Sequence, residues 1–271
     1  LPASERALAI VRRGPVVDLL VGSALFRDVF VASSGRGHAD VPRLRRAGVR
    51  LVGLTVATRF PDLRGSLSNL HFRSLGAPAS ALRSNMALAE WLLGRIQRWC
   101  AESAGELRPV LTADELAVAL AGDGIAVLLG VQGGHVLDGD LANIARLRDL
   151  GVRTLAPAHV MDNELVGSGT GRSAGGLSAF GREAIAELEA QSIIVDLAHM
   201  SAPGVAGALP LLKRPFLLSH TGLTDIAGRT SRWRRYSAAT RNVPAALATE
   251  IGRRGGLVGV ALATQLLGGD D

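Results

Sequence analysis

Lysine is almost missing from this 271-residue chain. Lys213 is the only one, so the other 29 of the 30 basic residues are arginine. They are spread along predicted helices and interleaved with acids. The net charge of +6 therefore reads as composition bias rather than as a nucleic-acid surface. One dense basic tract, Arg229-Thr-Ser-Arg-Trp-Arg-Arg-Tyr236, has the makings of a phosphate site, but no nucleic-acid motif accompanies it. A solvated loop near an active-site mouth is expected there. Cysteine is as scarce. Cys100 alone excludes an internal disulfide and a cysteine-ligated zinc cluster, and it reads as a small buried hydrophobe on a helix. No apolar run reaches the roughly 18 residues of a membrane span. The first residues, Leu1-Pro-Ala-Ser-Glu, lack a charged-then-apolar leader pattern. A soluble, cytoplasmic protein is expected. Aromatic residues make up only 4%, so the 48% apolar share points to a core of Val, Ile, Leu and Ala.

What is present is an alternation. Near-continuous apolar runs at 15–21, 50–57, 125–131, 153–159, 193–199, 215–220 and 256–263 predict seven strands buried on both faces, as in a parallel sheet. Amphipathic segments between them predict helices at 84–100, 112–120, 141–150, 180–190, 201–209 and 243–254. Asp40 ahead of Pro42 predicts a helix N-cap, and Thr112-Ala-Asp-Glu115 a capping box. Strand–helix alternation of this kind makes right-handed βαβ units. The fold expected is α/β, a single domain over 1–271 of the (β/α)8 TIM-barrel type, which takes about 250 residues. Its eighth strand is expected to be missing or to lie beyond the end of this chain. The stretch 167–176, Gly-Ser-Gly-Thr-Gly-Arg-Ser-Ala-Gly-Gly, is expected to be a flexible loop.

Two consecutive predicted strands end in histidine, at His199 and His220. Parallel barrels keep their chemistry at the carboxyl ends of the strands, and neutral imidazole is the commonest protein metal ligand. The pair therefore predicts a metal or substrate site. The preceding strands end in Gln132, with His135 following, and in His159.

On these residues the chain resembles the renal or membrane dipeptidase family, zinc dipeptidases of the amidohydrolase superfamily. The similar stretches are Gly130-Val-Gln-Gly-Gly-His135, Leu150-Gly-Val-Arg153 running to His159, Gly176-Leu-Ser-Ala-Phe-Gly181, Val195-Asp-Leu-Ala-His199-Met-Ser201, Leu218-Ser-His220 and Arg241-Asn-Val-Pro244. They occur in family order from about Pro15 to Ala263. The resemblance implies a two-zinc site. His199 and His220 match the histidines that bind one zinc, while His159 and Arg241 match the residues that hold the substrate. It also marks departures. The bridging glutamate position is Gln132, a weak ligand, and the His-x-Asp positions read Leu20-Val-Gly22. His38-Ala-Asp40 has His-x-Asp form, yet Asp40 is better placed as a cap, and Asp270 and Asp271 come soon after the seventh strand.

At most one zinc ion is expected, on His199 and His220 with Gln132 as a weak third ligand. Two readings stay open. One is a dipeptidase-like metallohydrolase acting on dipeptides or a related small amide. The other is a non-catalytic relative that binds a small carboxylate-bearing ligand. The partner expected is a dipeptide or other small molecule, with a homodimer admitted and neither nucleic acid nor a membrane span.

Overall fold

Asp40 opens a helix. Its side chain accepts from the Arg43 N–H at 2.9 Å, and it ion-pairs with the Arg43 guanidinium, so this carboxylate is already spent on its own helix, Val41–Arg46. The Thr112–Glu115 box behaves as its sequence predicts. The Thr112 hydroxyl accepts from the Glu115 N–H at 3.2 Å, and Glu115 reaches back to the Leu111 N–H at 2.6 Å. Such caps set where the helices begin, and hence where the strands between them can run.

The computed structural model describes residues 4–11, 13–26, 30–32, 39–61, 67–69, 71–227 and 238–267. His38, the 229–236 basic tract, Asp270 and Asp271 lie outside the described residues. Ten strands occur among the described residues: β1 Val16–Val21, β2 Val49–Ala57, β3 Phe60–Pro61, β4 Leu67–Ser68, β5 Leu107–Pro109, β6 Ile125–Gln132, β7 Val152–Ala156, β8 Ile194–Val195, β9 Leu217–Thr221 and β10 Leu257–Val260. They fall into two compact units, residues 1–56 with 91–130, and residues 57–90 with 131–271.

In the first unit β1 pairs parallel with β2, Val16 opposite Val49, and β5 pairs parallel with β6, Leu107 opposite Ile125. Leu51, Val110, Ala119 and Ala126 form a buried cluster there, flanked by Leu19, Leu116, Leu120 and Leu128. Phe30 stacks on Trp99 with centroids 5.2 Å apart. Cys100 is buried on the helix Asn85–Glu102, and burial pushes its thiol up to about 11, so it is an inert hydrophobe.

In the second unit β7 pairs parallel with β8, β9 parallel with β10, and β3 antiparallel with β4. Phe72, Leu137, Ile144, Leu147 and Phe216 are fully buried, each contributing about 1.5–3 kcal/mol. The sheet is mostly parallel and the fold is α/β; among the described residues no closed barrel is traced.

Three local expectations need correction. The fifth predicted strand does not run to His199: β8 stops at Val195, Asp196 adds one isolated parallel bridge to Leu217, and its side chain then accepts the Ala198 N–H at 3.0 Å where the chain turns. The short strands β3, β4 and β5 are unforeseen, each being too brief for an apolar pattern. The 167–176 stretch is not a free loop. Ser168 and Thr170 are buried, and their hydroxyls donate to the carbonyls of His159 and Val160.

Candidate functional site

The local chain around His199 is set by one carboxyl group. Asp196, 5% exposed, accepts the N–H groups of Ala198 and Ser219 on a single oxygen, each at 3.0 Å. It thereby joins the turn that carries His199 to the strand that carries His220. In that turn His199 adopts φ +68, a left-handed conformation costly for a side-chain-bearing residue, held because the surroundings over-determine it. Just beyond, the Ser201 hydroxyl caps the helix Ala202–Ala208 through the Gly204 N–H and donates to the Gly175 carbonyl at 2.7 Å.

His220 lies inside β9 rather than at its end. Its Nδ1 meets the Ser219 hydroxyl at 2.8 Å, and its Nε2 faces the Nε2 of His199 at 2.9 Å. His159 follows β7, its ring 4.9 Å from that of His199 and edge-on to Phe60 at 5.6 Å. Arg241, buried at the end of the short helix Ala238–Arg241, donates to the His220 carbonyl at 3.4 Å. Its backbone is pinned on both sides. Thr221 donates to the Arg241 carbonyl at 3.2 Å, and Asn242 accepts from the Gly222 N–H at 3.0 Å while donating to the Leu266 carbonyl at 2.8 Å. The structure thus gathers His159, His199, His220 and Arg241 into one cluster.

Gly169 ties that cluster together. Its N–H donates to the His199 carbonyl at 2.8 Å, and a Cβ on it would overlap the Thr240 carbonyl oxygen next to Arg241. Glycine here serves close approach, not flexibility. Gly169→Ala is expected to cost about 2 kcal/mol, the scale of core overpacking. Urea denaturation measures it, and an unchanged midpoint would show that the loop simply moves aside.

Burial is the main reason that all three imidazoles are hard to protonate, with the Arg241 charge second. His159 is lowered to about 4, His220 to about 3, and His199 well below its ordinary value. They are neutral at pH 7, the state a metal ligand requires. Asp196 moves the other way, its carboxyl raised by burial.

The donor set matches only part of a zinc centre. Catalytic zinc takes three protein ligands, and two imidazole nitrogens on one tetrahedral ion lie roughly 3.3 Å apart. The His199–His220 separation of 2.9 Å is near that value. No third imidazole, thiolate or carboxylate joins them: among the described residues no group of three His, Cys, Asp or Glu is placed to hold an ion. Gln132 is buried at the end of β6, and its Nε2 makes no hydrogen bond among the described residues, to either histidine or anything else. Leu20 and Gly22 lie in the first unit beside Asp18, where the Leu20 N–H donates to the Asp18 carboxylate at 3.1 Å. Among the described residues, His199 and His220 thus supply two of the donors that a zinc centre needs, and no donor set for two ions is placed.

Sequence reasoning missed Asp196, although a carboxylate inside an apolar run, Ile-Ile-Val-Asp-Leu, was a visible signal. The structure places His135 in a short 3-10 helix, mostly buried, with its Nδ1 3.7 Å from Glu164.

Residues 4–271 match the family model described as Membrane dipeptidase, Peptidase family M19. The chain belongs to this family. Among curated M19-like relatives, Dipeptidase 3 of Mus musculus is 27% identical over 278 residues, covering 97% of this chain and 50% of the relative. The chain thus spans about half the length of the curated relatives it matches. A Rhodobacter sphaeroides metallopeptidase, solved with a phosphinate mimic of L-Ala-D-Ala, superposes with a TM-score of 0.75 at 21% identity, covering 94% of this chain and 75% of that one. The probable dipeptidase PvdM of Pseudomonas aeruginosa gives 0.74 at 16% identity, covering 94% and 62%. The fold is therefore the TIM-barrel-like α/β fold of M19 structures, and the chain is a member of a dipeptidase-like metallohydrolase family.

Proposed function

We propose that this M19-family chain binds a small ligand bearing a carboxylate, a dipeptide or related amide, and no longer hydrolyses it through a two-zinc centre. One observation carries the reading. The Arg241 guanidinium is buried and lines a cavity of about 260 Å³ together with imidazoles that burial keeps neutral. Arg241 is the charged side chain among the described residues that line it. A planar guanidinium recognises a carboxylate with two parallel hydrogen bonds, and His159, its ring 4.9 Å from that of His199, is the further substrate-holding residue that the family resemblance implies. The loss of hydrolysis rests on Gln132, a neutral amide where two dications would need a bridging carboxylate.

Calorimetry with Ala-Ala and with its C-terminal amide tests the first half. The acid is expected to bind and the amide to bind at least tenfold more weakly. Arg241→Met is expected to weaken the acid about a hundredfold, the scale of truncating one partner of a buried charge pair. Equal binding of acid and amide overturns the carboxylate role.

The 2.9 Å approach of the two Nε2 atoms favours a second reading, with a single zinc held by His199 and His220 and weakly by Gln132. Zinc there would supply Lewis-acid polarisation and a lowered water pKa. Steady release of alanine from Ala-Ala in added zinc, abolished by His220→Ala, would establish that reading and end the non-hydrolytic one.

A further inference from the structure

The lining of the cavity that Arg241 shares is of two kinds. One is polar, formed by His199, His220 and Arg241. The other is formed by Val205 and Leu209, in and just after the helix Ala202–Ala208, and by Leu247 from the helix Ala245–Arg253. Among the described residues that line it there is no Asp, Glu or Lys, and Arg241 is the one guanidinium. Its volume of about 260 Å³ exceeds the roughly 150 Å³ that suffices for a benzene ring. A ligand that fits this lining has one negative charge and an apolar body. A positive group inside it would meet a second positive charge and no anion, and an unpaired buried charge is strongly penalised.

We infer that the cavity selects a monoanionic amide with an apolar body, an N-acyl amino acid, over a zwitterionic dipeptide. This rests on the carboxylate-binding reading of Arg241 and names the ligand class for it. The acyl amide removes the ammonium, for which the described lining offers no carboxylate to balance its charge. The apolar side chain lies against Val205, Leu209 and Leu247, where each buried methylene adds affinity. A second carboxylate in the side chain finds no second cation among the described lining residues and is disfavoured.

Competition calorimetry on the full chain decides it, with N-acetyl-leucine, Ala-Leu, N-acetyl-aspartate and N-acetyl-leucinamide as probes. N-acetyl-leucine is expected to bind at least tenfold more tightly than each of the others. If Ala-Leu and N-acetyl-leucine bind alike, or Ala-Leu binds more tightly, the inference fails while carboxylate binding stands. If N-acetyl-leucinamide matches N-acetyl-leucine, or neither acid binds, the carboxylate reading fails and the inference with it. Leu247→Asp, a change on a half-buried helix position, supplies the missing anion. It is expected to shift the ratio at least tenfold toward Ala-Leu. A folded Leu247→Asp protein with an unchanged ratio shows that this wall does not face the ligand and overturns the inference.

Discussion

Lowering the pH from 7 to 5 is expected to remove on the order of 5 kcal/mol of stability, comparable to the whole stability of many domains. The source is the buried imidazole cluster. His159 and His220 are lowered to about 4 and about 3, and His199 is also well below normal, whereas all three regain about 6.5 on unfolding. Between these values the unfolded chain binds protons that the folded chain refuses, so stability rises with pH across the window and is lost as pH falls from about 6.5 toward 4. Each histidine contributes up to about 1.4 kcal/mol per pH unit. Asp196 opposes this. Its raised carboxyl holds a proton in the folded state above the 3.8 at which it ionises when exposed, so acidification recovers part of one histidine's loss. Urea denaturation at pH 7, 6 and 5 in chelator measures the slope. His159→Gln with His220→Gln should remove about two-thirds of it, and a midpoint that does not move between pH 7 and 5 would refute the buried-imidazole account.

Asp196→Ala is expected to destabilise the chain by about 4 kcal/mol and to separate His199 from His220. The substitution strips the acceptor from two buried backbone N–H groups, those of Ala198 and Ser219, each worth about 1–3 kcal/mol when left unsatisfied. The same two bonds hold the left-handed turn at His199 against β9, so the Nε2 atoms at 2.9 Å lose their registration as well. Asp196→Asn keeps an oxygen in place and is expected to cost about 1 kcal/mol. Urea denaturation gives the energies, and the histidine ring signals in NMR report the geometry. If Ala and Asn behave alike, the carboxyl oxygen is not the clamp.

The reach of sequence reasoning can be followed residue by residue. The predicted strand at 125–131 is β6, Ile125–Gln132, because an eight-residue aliphatic run has few other ways to bury itself. Asp40 is a cap for an equally local reason, its side chain reaching a donor three residues away. Arg241 and His159 were singled out by resemblance, and the structure brings both to the strand-end histidines. What failed to show depended on distant partners. Asp196 looked like one polar residue in a strand, and only Ser219, 23 residues on, reveals it as a clamp. The glycines of 167–176 suggested freedom, yet Gly169 is glycine because Thr240 lies against it.

Composition and periodicity by themselves determined the α/β class and the alternation of the longer strands and helices, since these follow from short-range burial and hydrogen bonding, and the single cysteine excluded an internal disulfide. Residue identities likewise put Leu20, Gly22 and Gln132 where the family resemblance implies a histidine, an aspartate and a bridging glutamate. Tertiary structure alone decided that His199 and His220 meet nitrogen to nitrogen, that burial and Arg241 disfavour their protonation, and that Val205, Leu209 and Leu247 line the same cavity. Charge state and pocket shape depend on desolvation by segments far apart in the chain, and no local pattern encodes those neighbours.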